Sequence, residues 1–256
     1  MQQISKRQNE ILQIIKKNAS INVKDLFPLY PVSSATIRKD LSILEEANLI
    51  IRKRGEAHIV DSNTLTPFEL RSRINHEIKV EIAKCAVNFI NDGDSIILDS
   101  GTTTLEIARL LSNKNSITVL TNSLPVATVL ANTQVSVSLS GGMLFSQNMS
   151  TQGPDAEAFF SRVKVDKAFI AASGVRLNEG LAALSPFEAH LKRFMIKAAN
   201  EVFGVFDSTK FDAAGINLFA GYGDIDYVIT DKTHLPEMAL EKFERDGLSY
   251  ILADKQ

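Results

Sequence analysis

Over the first 46 positions the apolar residues recur at helical spacing. Ile4, Ile11, Leu12 and Ile15 form one stripe of a first helix that ends near Asn18. Asn22 opens a short second helix, Val23 to about Tyr30, with Asp25 placed as a reciprocal capping partner. Pro31 enforces a break. In the third helix Ile37, Leu41 and Leu44 make the stripe, and Ser33 caps the first turn by accepting from an unpaired backbone N–H. Leu49–Arg52 and Ala57–Val60 then read as two short strands joined by the turn Lys53-Arg54-Gly55-Glu56. Three helices and a hairpin of this kind make a winged helix-turn-helix, assigned to residues 1–60.

The polar segment 61–67, closed by Pro67, reads as a linker to a second domain, 68–256. Phe68 to Ile90 turns helical again, with Leu70, Ile74, Ile78, Ile82 and Phe89 on one face and a possible break at Asn75-His76. After the turn Asn91–Asp94, short β-branched runs alternate with helical stretches. Strands are predicted over 95–99, 117–121, 135–140, 165–172, 202–207, 227–230 and 250–253. Helices are predicted over 105–111, 123–131, 185–199 and 236–246. The alternation predicts an α/β domain built on an open, mainly parallel sheet covered on both faces.

Charge sharpens this picture. The net charge of −2 conceals a front end, residues 1–60, with ten Lys/Arg against six Asp/Glu, and a body with eighteen against twenty-four. A basic head on an acidic body suits a protein that docks one end on nucleic acid. Cys85 is the only cysteine, so no internal disulfide forms, and it reads as a small buried hydrophobe. No apolar run approaches a signal peptide or a membrane span, which predicts a soluble, cytoplasmic protein without membrane partners. His58, His76, His190 and His234 lack metal-ligand spacing, so neither metal nor cofactor is expected.

The third helix carries the candidate DNA contacts. Ser33, Ser34, Ala35, Thr36, Arg38 and Lys39 lie away from its apolar stripe and are small, hydroxyl-bearing or basic. Small residues at the helix start permit close approach to base edges, and cations anchor it to phosphates. Arg52, Lys53 and Arg54 fall on the wing, within reach of the phosphate backbone. Taken alone such a helix is most often a solvated surface element. The preceding short helix, the break and the basic hairpin together favour DNA.

In an open parallel sheet, ligands bind outside the carboxyl ends of the strands. There the loop Asp99, Ser100, Gly101, Thr102, Thr103, Thr104 joins a strand to a helix N-terminus and offers a phosphate cradle. It is not a Walker loop, since no Gly-Lys-Ser/Thr follows. Thr121, Asn122 and Ser123 end the next strand, and Gly141-Gly142 the third. Lys210, within Asp207–Lys210, suits a phosphate, while Glu188 or Asp99 could accept from sugar hydroxyls. The duller readings are turn chemistry for the loops, a solvated Lys210, and an ordinary surface pair for Glu188 with Lys192.

Over almost its full length the chain resembles the DeoR family of bacterial transcriptional regulators. Val32–Leu41 resembles that family's reading helix. Asp99–Thr104, Thr121–Ser123, Gly141-Gly142 and Asp207–Lys210 resemble the signature of its sensor domain, in the same order and spacing. The resemblance implies a ribose-5-phosphate isomerase-like C-terminal domain that binds a phosphorylated sugar. It also implies repression of a carbohydrate operon, release of double-stranded operator DNA on sugar-phosphate binding, and a homo-oligomer, dimer or tetramer. Two positions depart from the pattern: Gly55-Glu56 replaces a glycine pair on the wing, and Asn48 stands where a glycine usually follows the reading helix. An alternative is a sugar-phosphate isomerase with an accessory DNA-binding head. Related isomerases carry paired aspartates where this chain has Asp166-Lys167-Ala168-Phe169, with one carboxylate only. A third reading, a helix-turn-helix used for protein contacts, predicts no salt-dependent DNA affinity.

Overall fold

The computed structural model describes residues 5–18, 20–46, 49–59, 68–111, 114, 116–213 and 215–253. Ile4, Asn48, Val60, the linker 61–67 and the side chain of Leu70 lie outside the described residues. The chain divides into two compact units, Met1–Thr66 and Pro67–Gln256.

The first unit runs α1 (Lys6–Asn18), β1 (Ser20–Asn22), α2 (Val23–Leu26), α3 (Ser34–Glu46), β2 (Ile50–Lys53) and β3 (Glu56–Ile59). Its core holds the predicted stripe residues Ile11, Ile15, Ile37, Leu41 and Leu44 together with Leu26, Ile50 and Ala57, all fully buried. The second helix is shorter than predicted. It gives way to a 3-10 turn, Phe27–Leu29, because Pro28 cannot donate to a continuing α-helix. Asn22 caps it by accepting from Lys24 N at 3.0 Å, a bond that needs no reciprocal partner from Asp25. β1 was not foreseen; it pairs antiparallel with β3 and gives the sheet order β1-β3-β2. At the wing tip Arg54 (φ 50°) and Gly55 (φ 88°) are both left-handed, the two-residue hairpin turn whose twist matches its strands.

The second unit opens with α4 (Phe68–Arg71) and α5 (His76–Val87). The break between them falls at Asn75, whose φ of 51° is one that asparagine tolerates. Then follow β4 (Ser95–Leu98), α6 (Thr102–Leu111), β5 (Thr118–Thr121), α7 (Leu124–Leu130), β6 (Ser136–Leu139), β7 (Met143–Phe145), β8 (Ser150–Gln152), α8 (Pro154–Ser161) and β9 (Val165–Ile170). The remaining elements are β10 (Gly174–Arg176), β11 (Gly180–Ala183), α9 (Pro186–Ala198), β12 (Ala199–Val205), β13 (Asn217–Ala220), β14 (Tyr227–Thr230), α10 (Glu237–Arg245) and β15 (Ser249–Leu252).

Seven strands form one parallel sheet in the order β15-β14-β12-β9-β4-β5-β6. Alternate residues feed two cores. Ile97, Ala168 and Ile170 pack with residues of α8, α9 and α10, whereas Ile96, Leu98, Phe169 and Phe203 pack with α5, α6 and α7. Cys85 is half-buried against the second core. The order reverses between β4 and β9, the switch point outside which ligands sit in open parallel sheets. The β7–β8 hairpin and the small antiparallel sheet β10-β11-β13 had no period-2 signal long enough to announce them.

Candidate functional site

In α3 the main-chain N–H of Thr36 donates to Ser33 Oγ at 3.2 Å, and the two hydroxyls lie 2.9 Å apart. Ser33 is therefore the cap, and Thr36 is partly committed to it. Ser34, Ala35, Arg38 and Lys39 are exposed along one face. The buried Asp40 carboxylate accepts from Arg7 Nε at 2.6 Å and Gln8 Nε2 at 3.0 Å, which fastens α3 to α1.

On the wing the three basic residues separate. Arg54 is exposed at the tip and Lys53 is half-buried. Arg52 does not reach outward as expected. Its main-chain N–H and Nε donate to Glu45 at 2.9 and 2.8 Å, and Nη1 donates to Arg38 O at 3.4 Å. A guanidinium whose Nε and Nη2 both hold Glu45 Oε2, at 2.8 and 2.7 Å, braces the wing against α3 and has little left for a phosphate. Between α2, α3 and the wing lies a groove of about 500 Å³, with Lys24, Arg38 and Arg54 on its rim. The Arg38 guanidinium sits 5.7 Å from the centroid of the Phe27 ring. Glu56, the departure on the wing, lies 3.2 Å from His58 Nε2.

At the carboxyl ends of the large sheet, Asp99 is 1% exposed. Its oxygens accept from Ser100 N at 2.6 Å, from Ala171 N at 3.0 Å and from the Lys192 ammonium. Three donors thus hold this carboxylate in place, and it in turn fixes the position of Lys192. Lys192 is also 1% exposed, donates to Ala171 O at 3.0 Å and lies 3.3 Å from Glu188 Oε1. Burial alone pushes the Lys192 ammonium toward neutrality, but Asp99 and then Glu188 hold its pKa above the ordinary lysine value. Glu188 and Lys192 are thus a buried pair, not the surface pair of the duller reading. Glu188 Oε2 accepts from Asn148 Nδ2 at 3.4 Å, and Asn148 Oδ1 accepts from Arg71 at 2.7 Å.

A second cluster lies beside it. Lys79 is 3% exposed and donates to Arg71 O and Ile74 O at 2.6 and 2.7 Å, closing the end of α4. Burial lowers its pKa to about 7; Asp207 opposes the shift, whereas Lys210 and Arg71 add to it. Asp207 accepts from Asn75 Nδ2 at 3.1 Å and lies 3.8 Å from Lys210 Nζ. Its own burial works upward, yet Lys210 and Lys79 hold its carboxyl below the usual aspartate range. Lys79, Lys210 and Arg71 therefore crowd positive charge at one place.

The hydroxyl loops divide by role. Thr104 Oγ1 donates to Asp99 O at 2.6 Å and accepts from Gly101 N at 2.9 Å, so it closes the loop. A Cβ on Gly101 would come within 2.5 Å of Ala171 Cβ, so that glycine serves strand-to-loop packing rather than a ligand's approach. Thr102 and Thr103 lie in the first turn of α6, whose main-chain N–H groups have no partner within the helix. Thr121 Oγ1 donates to Leu98 O at 2.6 Å, and Ser123 Oγ caps α7 by accepting from Val126 N at 3.4 Å. Asn122 Nδ2 donates to Thr151 O at 3.1 Å and reaches Ser100 Oγ at 3.4 Å, while its buried Oδ1 has no partner among the described residues. Gly141 and Gly142 are left-handed at φ 69° and 101°. A Cβ on Gly142 would come within 2.6 Å of Gln152 O, so the pair turns the chain into the β7–β8 hairpin.

Asp166 contradicts the isomerase alternative. It accepts from Ser95 N and Oγ at 2.8 and 2.7 Å at the amino ends of β9 and β4, the far side of the sheet from these loops. Those bonds hold its carboxyl below the usual range. Among the described residues no group of three His, Cys, Asp or Glu could hold a metal ion.

Arg71, Lys79 and Asn148 are absent from the residues that the sequence singles out for the site, and Lys192 enters there only as a surface partner of Glu188. A signal was available for two of them: Lys79 shares a helix face with Ile82, Ala83 and Ala86, and Lys192 with Ala189 and Met195, all buried. A lysine inside an apolar stripe has an internal partner or a ligand.

Residues 7–63 match the DeoR-like helix-turn-helix domain and residues 74–232 the DeoR C-terminal sensor domain. A protein of Escherichia coli O157:H7 named as an aga operon transcriptional repressor is 35% identical over 252 residues, covering 97% of this chain and 93% of its own. The HTH-type transcriptional regulator GolR of Listeria innocua is 32% identical over 250 residues, covering 97% and 98%. Among solved structures, ribose 5-phosphate isomerase A from Methanocaldococcus jannaschii aligns with a TM-score of 0.41 at 20% identity, covering 53% of this chain and 54% of that one.

Proposed function

The chain belongs to the DeoR family of DNA-binding transcriptional regulators, and on that premise we propose that it represses a carbohydrate operon and lets go when a phosphorylated sugar binds its second unit. It is a regulator, not an enzyme. The observation that carries the effector half is the cation cluster of Lys79, Lys210 and Arg71 beside the helix-start loop at the sheet's switch point. These basic groups outnumber Asp207, the carboxylate set among them, which favours an anion there, and the first-turn N–H groups of α6 add donors for it.

In this reading Thr102 and Thr103, through main-chain and hydroxyl donors, and the Ser100 hydroxyl cradle the phosphate, Lys79 and Lys210 neutralise it, and Gly101, whose N–H is taken by Thr104, packs the loop. Two of the three Lys79 donors are used on carbonyls, which leaves one for the ligand. Asn122, through its unpaired Oδ1, and Glu188 face the polyol. Asp99, Thr104, Thr121, Ser123, Gly141 and Gly142 hold the frame. Arg71 matters for coupling: it lies just past segment 61–67 and reaches Glu188 through Asn148.

The DNA contacts are Ser34, Ala35, Thr36, Arg38 and Lys39 on α3, with Arg54 and Lys53 on the wing. Arg52 and Ser33 position those elements. The protein works in the cytoplasm as a homo-oligomer, dimer or tetramer, whose paired heads read two half-sites. No helix of the described residues is long and apolar enough to cross a membrane. A thermal-shift screen against phosphorylated sugars tests the effector reading, since a ligand of the folded state raises the melting temperature. No shift with any of them, nor with inorganic phosphate, refutes it.

A further inference from the structure

Charged residues make up 23% of the chain, yet residues 115–154 contain none, nor any histidine. That stretch supplies β5, α7, β6, β7 and β8, and β6 is the outermost strand of the large sheet. Ser136 and Ser140 donate inward, to Ile117 O at 3.0 Å and Thr121 O at 2.9 Å. Strand alternation therefore turns the main-chain groups of Val137 and Leu139 outward. Around them Leu139, Met143, Leu144 and Met149 are 42, 69, 57 and 39% exposed.

A solvent-facing edge is normally blunted by charge, proline or a bulge, because its free N–H and C=O groups invite another strand. β6 has no charge and no proline, and pairs with β5 in unbroken register. The opposite edge is guarded: Arg245 and Asp246 precede β15, and the Tyr250 hydroxyl donates to Glu244 at 3.1 Å.

We propose that β6 pairs antiparallel with β6 of a second copy across a two-fold axis at Ser138, joining the two large sheets into one. In this register Val137 and the partner's Leu139 exchange both main-chain bonds, and the two Ser138 residues meet as the close, non-hydrogen-bonded pair. Leu139, Met143 and Leu144 extend the contact on either side. A second copy is the occupant because an uncharged edge meets itself without like-charge repulsion, and charge depletion marks the core of interfaces. Nucleic acid needs cations, and this stretch has none. Pairing β6 with β15 of the next copy propagates without closing, whereas the isologous contact closes at two. The inference rests on the paired-head reading above and gives that pairing its surface.

The test uses the full chain. Light scattering after size exclusion reads the oligomeric state, and copper-phenanthroline oxidation of Cys85→Ala/Ser138→Cys reads the register. A dimer or an even multiple is expected, with Ser138→Cys trapped as one covalent dimer. The two Cα atoms of such a pair stand about 4.5 Å apart, within disulfide range. Cys85→Ala/Ser249→Cys, on the guarded edge, stays uncross-linked. Leu139→Glu weakens self-association at least ~100-fold, as like charges at an interface do, with its far-ultraviolet circular-dichroism spectrum unchanged. A monomeric parent at micromolar concentration overturns both this surface and the paired-head reading. A dimer that Ser138→Cys fails to trap overturns the surface alone, whether or not Leu139→Glu folds.

Discussion

Replacing Lys192 by methionine removes the ammonium that compensates two buried carboxylates. Lys192 and Asp99 are each 1% exposed, and Glu188 lies 3.3 Å from the same Nζ. Breaking a buried pair by deleting one partner costs about 3–5 kcal/mol, because the other charge is stranded. A surface (i, i+4) pair would lose about 0.3–0.5 kcal/mol. The two outcomes differ roughly tenfold, enough to decide. For a unit of this size, about 2–4 °C of melting temperature accompanies each kcal/mol, so a fall of at least about 6 °C is expected by calorimetry. Asp99→Asn/Lys192→Met should recover part of the loss, since it removes a stranded charge along with its partner. The pH dependence has a definite sign. The folded-state pKa of Lys192 is raised, so its stabilisation is fully present below the unfolded lysine value and disappears as pH climbs through the folded one. A Lys192→Met variant that melts within about 1 °C of the parent would refute the buried-triad account.

Other consequences follow from single contacts. Arg54→Ala should lower the slope of log affinity for DNA against log salt by about one, as loss of a phosphate contact does. Arg52→Ala should weaken binding with the slope unchanged, because its guanidinium is held by Glu45; an equal fall in slope would return it to the phosphate contacts. Lys79 is buried with a pKa near 7, so the unfolded chain holds a proton that the folded one has shed between there and the ordinary lysine value. Parental stability relative to Lys79→Met should therefore rise with pH across that window, by up to ~1.4 kcal/mol per unit, in urea titrations followed by circular dichroism; a flat difference contradicts it. Gly101→Ala drives a Cβ to 2.5 Å from Ala171 Cβ and should cost about 1–3 kcal/mol in the same titration.

The reading helix was legible because its signals agree: cap, stripe, break and hairpin all specify one arrangement. The central strands of the parallel sheet were legible because burial on both faces gives them apolar runs, as in residues 96–98 and 168–170. Side-chain commitments were not. Arg52 and Arg54 are equivalent as letters, and only the hairpin's register turns one toward Glu45 and the other into solvent. Asp99 looked available because its partners Ala171 and Lys192 lie 72 and 93 positions away in the chain. Gly101 announced a close approach without saying to what. Lys79 and Lys192 were passed over because helical pairing rules treat lysine as surface, although both interrupt apolar stripes.

The most direct test of the central claim is fluorescence anisotropy of a labelled promoter fragment, titrated with the protein and then with the sugar phosphate that gives the largest thermal shift. The parent should bind the fragment more tightly than random duplex and release it as the ligand saturates. Lys210→Ala should bind the same fragment equally well and hold it throughout the ligand titration. Equal affinity for random duplex, or a Lys210→Ala protein that releases DNA at the parental ligand concentration, contradicts the account.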